Sequence, residues 1–244
     1  MATLYVIATP IGNLEDLSYR AVRILGELEN LACEDTRVTR KIFEKHELHR
    51  PRTIFSYHEH NEEQGCQRIL GLLNSGQDVG LCSDGGCPGV SDPGYRILSA
   101  CHDGGHHIEV IPGASAVTTA LLASGLSTSS FTFKGFPPRK SGARQRFLLE
   151  EAELPHTLIL FESPHRIEKL LEDVLAALGD RLVAVCVELT KKFERVHRGY
   201  CSAVLDELRG KPIKGEITVV IAGNHAKFRR DEEDAADGPS ATEF

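Results

Sequence analysis

The chain has 244 residues, which suits one large domain or two compact lobes, and a core of that size needs no disulfide staples. Its apolar share of 41 % and charged share of 26 % are those of a globular protein, and no apolar run approaches the roughly 20 residues that span a bilayer. A formal net charge of −7 argues against broad, non-specific affinity for nucleic acid, yet it leaves room for a local basic patch.

The first residues, Met1 to Ala8, lack a basic stretch and run straight into a strand pattern, so no signal peptide and a cytoplasmic location are expected. Short apolar or β-branched runs predict strands at Leu4–Ala8, Leu31–Glu34, Thr53–Ser56, Val79–Cys82, Ile108–Ile111, Phe131–Lys134, Thr157–Phe161, Leu182–Val187 and Ile217–Ile221. Helical periodicity fills the gaps. One helix opens at Ser18 as N-cap and puts Ala21, Val22, Leu25 and Leu28 on one face. Others are predicted for Val38–Lys45, Glu62–Asn74, Tyr95–His102, Ser115–Ala123, Ala143–Glu151 and His165–Leu178. Strands alternating with helices predict an α/β architecture with largely parallel sheets. The division between lobes falls near residues 112–125. It gives an N-terminal lobe of residues 1–118, a C-terminal lobe of 119–226 and an acidic tail of 227–244 expected to be disordered.

Four loops follow predicted strands: Ala8–Leu14, Ser83–Gly94, Ile111–Ala116 and Phe161–Arg166. In open α/β sheets ligands bind beyond the carboxyl ends of strands, and glycine there lets the backbone approach them closely. The alternative is a set of plain tight turns, least convincing for the second loop with its four glycines and two prolines after Asp84. None of the loops is GxGxxG or a Walker A motif, so a nicotinamide or ATP fingerprint is absent. Cys33-Glu34-Asp35-Thr36-Arg37 reads either as an acid–base and positioning cluster or as a helix N-cap carrying a surface arginine. His58-Glu59-His60-Asn61 is open between a catalytic histidine and a solvated loop.

Arg139, Lys140, Arg144 and Arg146 follow Gly135-Phe136-Pro137-Pro138. With Lys191, Lys192, Arg195 and Arg198 they could form a phosphate-binding patch or a solvated face. The seven cysteines, at 33, 66, 82, 87, 101, 186 and 201, include no CxxC pair and read as free thiols. Cys82 and Cys87 with His102, His106 and His107 match no standard zinc spacing, so no metal is expected.

These loops, together with Glu188-Leu189-Thr190-Lys191 and Gly215-Glu216, stand in the order that resembles the ribosomal RNA small subunit methyltransferase I family of the tetrapyrrole methylase superfamily. The nine segments cover residues 3 to about 223. Two departures lie in the second loop, where Gly85 and Cys87 replace the family's usual Ala and Thr. A helical C-terminal segment common in the family has no match beyond residue 226.

The resemblance implies two α/β lobes, each a mostly parallel or mixed sheet flanked by helices, with S-adenosylmethionine in the cleft between them. It implies a homodimer and, as substrate, a decoding-site cytidine of 16S ribosomal RNA within the small subunit, methylated on its ribose 2'-oxygen. It places cofactor contacts at Pro10, Asp84, Gly85, Cys87, Ser115, Ala116, Phe161 and Leu189. A ribose hydroxyl is a weak acid, so Glu34 and Asp35 are the favoured acid–base candidates, with Arg37 positioning and Lys191 steadying a developing alkoxide. Arg139, Lys140, Arg144 and Arg146 are the expected RNA contacts. A small tetrapyrrole acceptor and a non-catalytic nucleotide-binding regulator stay open as alternatives, because a shared fold does not set function.

Overall fold

The computed structural model describes residues 2–228. They form two units that divide after Ala116. Of the expected acidic tail, Lys227 and Phe228 end a single 3-10 turn, and residues 229–244 lie outside the described part.

The first unit alternates strand and helix: β1 Thr3–Ile7, α1 Tyr19–Glu27, β2 Asn30–Cys33, α2 Thr36–Lys45, β3 Thr53–Ser56, α3 Glu62–Asn74, β4 Val79–Cys82, α4 Tyr95–Asp103 and β5 His107–Ile111. Ser18 does open α1, its hydroxyl accepting from the Ala21 amide at 3.1 Å. The strands pair in the order β3-β2-β4-β1-β5, all parallel. Strands β2 and β4 are buried along their whole length, as expected of a parallel sheet covered on both faces. One core layer gathers Leu4, Phe55, Ile69, Leu81 and Ile97, the other Ile7, Leu25, Leu31, Phe43 and Ile111.

The second unit comprises α5 Ala116–Ser124 (its first residue still counted with the first unit), β6 Phe131–Phe133, α6 Ser141–Leu149, β7 Thr157–Glu162, α7 Ile167–Leu178, β8 Leu182–Val187, β9 Arg195–Tyr200, α8 Cys201–Leu208 and β10 Ile217–Ile221. The sheet order is β6-β7-β10-β8-β9. Only β6 and β7 pair in parallel there, and the other three pairings are antiparallel. The sheet is therefore mixed rather than largely parallel. Strand β10 inserts between β7 and β8, and a last strand that enters from the opposite end must run against both.

The sequence pattern predicts neither the edge strand β9 nor the helix α8. Arg-Val-His-Arg-Gly-Tyr exposes much of its length, so it lacks the apolar run of an inner strand. All seven cysteines are unpaired thiols. No helix among the described residues is long and apolar enough to cross a membrane.

Candidate active site

Because every strand of the first sheet is parallel, all five carboxyl ends open on one edge. The loops after β1 and β4 are stitched there by a two-bond bridge, with the Thr9 and Gly86 amides each donating to the other's carbonyl at 2.9 Å. The loop after β5 joins them. The Ala8 amide donates to the Ile111 carbonyl at 3.1 Å, and a Cβ on Gly113 would lie 3.1 Å from that of Ala8. Pro10 is buried, and its carbonyl lies 3.4 Å from where a Cβ on Gly85 would stand. Gly85 itself is exposed, and Asp84, Cys87, Ser115 and Ala116 are half-buried. Most of the expected cofactor contacts in this unit thus cluster at one sheet edge.

The acids come from neighbouring strands. The Asp84 amide donates to Glu34 Oε2 at 3.2 Å, and the Asp35 amide donates to Asp84 Oδ1 at 2.9 Å. Burial pushes the Asp84 carboxyl above the usual range, and the charges of Glu34 and Asp35 add to the effect. Asp35 behaves otherwise. It is the N-cap of α2, accepting from the Arg37 amide at 2.8 Å, and its carboxylate grips the Arg37 guanidinium at 2.6 Å. Those bonds draw its carboxyl down to about 2. Asp35 is thus the N-cap of the second sequence reading, and its amide also holds the Asp84 carboxylate.

His58 is half-buried after β3, and its Nδ1 is buried with no hydrogen-bond partner. Nearby Glu62, which sequence reasoning did not single out, accepts from the Tyr57 hydroxyl at 3.2 Å and from the Gly94 amide at 3.3 Å. It ties the β3 loop to the far end of the loop after β4.

In the second unit the carboxyl ends of β6, β7 and β8 share an edge with the start of β10. Phe161 is half-buried and packs edge-to-face on Phe133, with centroids 4.8 Å apart. Leu189 is buried between Glu188 (φ 52°) and Thr190 (φ 65°). Two left-handed non-glycine residues, one on each side of an apolar side chain, mark a strained turn of the kind found at ligand sites. Lys191 holds that turn, donating to Glu188 at 2.8 Å and to Glu216 at 2.9 Å. Burial lowers its ammonium pKa, but the two carboxylates outweigh that and lift it above the ordinary range. Lys191 therefore stays cationic and is unsuited to act as a base.

Of the expected RNA contacts, Arg139, Lys140 and Arg146 are exposed. Arg144 is not: it is buried and ion-paired with buried Asp173 at 2.5 Å. Its Nη1 donates to the carbonyls of Pro138 and Arg139, and Nη2 also donates to that of Lys169. A guanidinium used up inside the fold has no donors left for phosphate, so the expectation for Arg144 is withdrawn. Arg195 and Arg198 sit on β9, three residues apart and hence on opposite faces, and Arg198 donates to the Ser124 carbonyl at 2.8 Å. They do not extend one continuous patch.

Solved structures share this architecture. A cobalt precorrin-4 methyltransferase of cobalamin biosynthesis superposes with a TM-score of 0.68 at 18 % identity, covering 90 % of this chain and 94 % of its own. A diphthine synthase does so with a TM-score of 0.66 at 17 % identity, covering 91 % and 90 %. At that identity the likeness fixes the fold, which is the two-unit methylase fold. The sequence pattern of the tetrapyrrole (corrin/porphyrin) methylases matches residues 3–204.

Closer relatives narrow the class. A protein of Halalkalibacterium halodurans named ribosomal RNA small subunit methyltransferase I is 44 % identical over 230 residues, 94 % of this chain and 79 % of that one. Its Bacillus subtilis namesake is 40 % identical over 233 residues, 96 % and 79 %. The chain belongs to the ribosomal RNA small subunit methyltransferase I family of the tetrapyrrole methylases.

Proposed function

We propose that the chain transfers a methyl group from S-adenosylmethionine to the ribose 2'-oxygen of a decoding-site cytidine in 16S ribosomal RNA, acting on the small subunit. The observation that carries the reading is its 40–44 % identity, over more than nine-tenths of the chain, to relatives named for small-subunit ribosomal RNA methylation. A homodimer in the cytoplasm belongs to the same proposal.

The donor set suits the cofactor. Half-buried Asp84 offers carboxylate oxygen to hydroxyl or ammonium groups, and Gly85 and Gly113 leave main chain uncovered at the strand ends. Proposed contacts in the first unit are Pro10, Asp84, Gly85, Cys87, Ser115 and Ala116, and Phe161 and Leu189 in the second unit carry the same assignment. The cofactor brings an electrophilic methyl on a good leaving group, so alignment rather than activation is the protein's main task there.

The incoming hydroxyl needs a proton acceptor or a nearby cation. Asp35, held near 2 by Arg37, is a weak base and serves better to place Arg37 and, through its amide, the Asp84 carboxylate. Glu34 is the proton acceptor we favour. Lys191, held charged by Glu188 and Glu216, is the candidate for steadying alkoxide character. Arg139, Lys140 and Arg146 are the proposed phosphate contacts.

The test is methyl incorporation from labelled cofactor into small subunits isolated from a strain lacking this activity, followed by mapping of 2'-O-methyl groups on the RNA. One new cytidine mark is expected. Incorporation into a tetrapyrrole precursor and none into subunits would overturn the reading.

A further inference from the structure

Among the exposed apolar side chains, Phe136 stands out for how firmly its loop is held. The residue is 59 % exposed and lies one position beyond the glycine that turns the chain after β6. Single exposed apolar residues are common and need no explanation. This one is backed by a row of rings: Phe136 meets Phe161 at 5.6 Å and 61°, and Phe161 meets Phe133 at 4.8 Å and 63°.

The three residues after it are fixed by two arginines. Arg166 donates to the carbonyls of Pro137 at 2.8 Å and Pro138 at 3.2 Å. Arg144 donates to those of Pro138 at 3.4 Å and Arg139 at 3.2 Å. Each arginine is anchored in turn, Arg144 by Asp173 and Arg166 by Glu162, which lies 3.0 Å away with its side chain wholly buried. Upstream, the Phe161 amide donates to the Gly135 carbonyl at 2.9 Å, so the loop is held on both sides of Phe136.

We propose that Phe136 is a stacking platform for a base of the RNA substrate, and that Arg144 and Arg166 are the positioning residues that set it. The inference rests on the RNA reading above. A rigid loop lowers the ordering cost of binding, and an aromatic face accepts any base. Exposed Arg139 and Lys140 follow three and four residues later, which supplies the cationic flank that nucleic acid requires and a hydrophobic protein partner does not. Arg144 therefore serves RNA indirectly, by building the loop that carries Arg139.

The experiment compares the full-length wild type with Phe136→Ala, Phe136→Trp and Arg166→Met. It reads steady-state methylation of unmethylated small subunits, co-sedimentation with those subunits, and calorimetric binding of S-adenosylmethionine. Phe136→Ala is expected to raise KM for subunits about tenfold, with kcat within about twofold, and Phe136→Trp to restore KM. Arg166→Met should raise KM likewise, and the Phe136→Ala/Arg166→Met pair should be no worse than the poorer single variant, because both act through one ring.

An unchanged KM in Phe136→Ala would overturn the proposal. So would a loss that appears in cofactor binding, which would put the ring's role at the cofactor, directly or through Phe161, or a change in oligomeric state, which would make it a protein interface. If the wild type transfers no methyl group to subunits, the functional reading fails. The co-sedimentation of Phe136→Ala against wild type then still decides whether the ring holds RNA.

Discussion

At the edge where its strands end, the first unit is held largely by main-chain bonds and close backbone contact; the second unit relies more on ion pairs, some of them buried. In the first, Thr9 and Gly86 exchange backbone bonds, and a Cβ on Gly94 would lie 2.7 Å from the Gly89 nitrogen. The side chains collected there are chiefly carboxylates, Glu34, Asp35 and Asp84. In the second, Arg144 pairs with Asp173, Arg166 with Glu162, and Lys191 with Glu188 and Glu216. The sheets explain the contrast. Five parallel strands deliver five loops to one edge, and crowded loops need small residues. In the mixed sheet the start of β10 comes to that edge, so Glu216 just before β10 meets Lys191 just after β8, while Arg166–Glu162 closes the turn after β7 and Arg144–Asp173 ties α6 to α7. It follows that the first unit is sensitive to added volume and the second to deleted charge.

The largest effect is expected for Asp173→Ala, which strands the Arg144 guanidinium in the core. Such a break costs about 3–5 kcal/mol, read as a fall in the urea midpoint. A loss below about 1 kcal/mol would mean that buried charge does not hold the second unit, and the contrast would collapse. Next comes Gly94→Ala, whose methyl meets backbone rather than a flexible side chain; overpacking of this kind costs about 1–3 kcal/mol. The same denaturation measurement applies, and a wild-type midpoint would show that the first unit yields where its geometry says it cannot.

Acid titration separates the two aspartates of the first unit. The Asp35 carboxyl is lowered by Arg37, so whatever the pair adds to stability is complete above the ordinary aspartate range and lost as pH falls through about 2. Asp84 is raised by burial, so its charged form costs the fold at neutral pH, and that cost is relieved as pH falls through its raised value. Carboxyl-carbon NMR should see Asp84 protonate first. Arg37→Ala should move Asp35 upward towards the usual range and narrow the gap. An Asp35 that titrates above Asp84 in the wild type would contradict the reading of both environments.

Much of this fold was legible because the inner strands are short apolar runs bounded by glycine, proline or polar residues, as at Val79–Cys82 before Ser83-Asp84. The antiparallel insertion of β10 was not, since which strand it joins depends on contacts with β7 and β8 that no local pattern records. The strand-end loops were readable as a ligand edge, but the Glu34–Asp84 link spans 50 residues and left no mark in the sequence. Arg144 does carry a usable signal. Leu148 lies four residues on and is fully buried, so helical spacing alone put Arg144 on the core side of α6. A basic residue in a charge-rich stretch reads as surface until its helical neighbours are counted.

The smallest effects are expected for two substitutions in the loop after β4, Gly85→Ala and Cys87→Thr, which bring in the residues that the family resemblance leads one to expect there. A Cβ on Gly85 would meet Pro10 O at 3.4 Å and Ile11 Cα at 3.6 Å, ordinary contact distances, and the site is exposed. Unlike Gly86, Gly89 and Gly94, Gly85 is not in the left-handed region, so alanine adopts its backbone without strain. Stability should stay within about 0.5 kcal/mol of wild type, the range of an unremarkable surface change.

At Cys87 the thiol is half-buried, pushed up in pKa by burial, and only weakly directed at the Ala114 carbonyl 3.9 Å away. A threonine hydroxyl is the stronger donor, and tighter cofactor binding by a few-fold is expected in calorimetry, on the order of one hydrogen bond. Should Gly85→Ala instead abolish cofactor binding while Gly94→Ala is tolerated, the crowding that limits the first unit would lie at the ligand face and not within the loop.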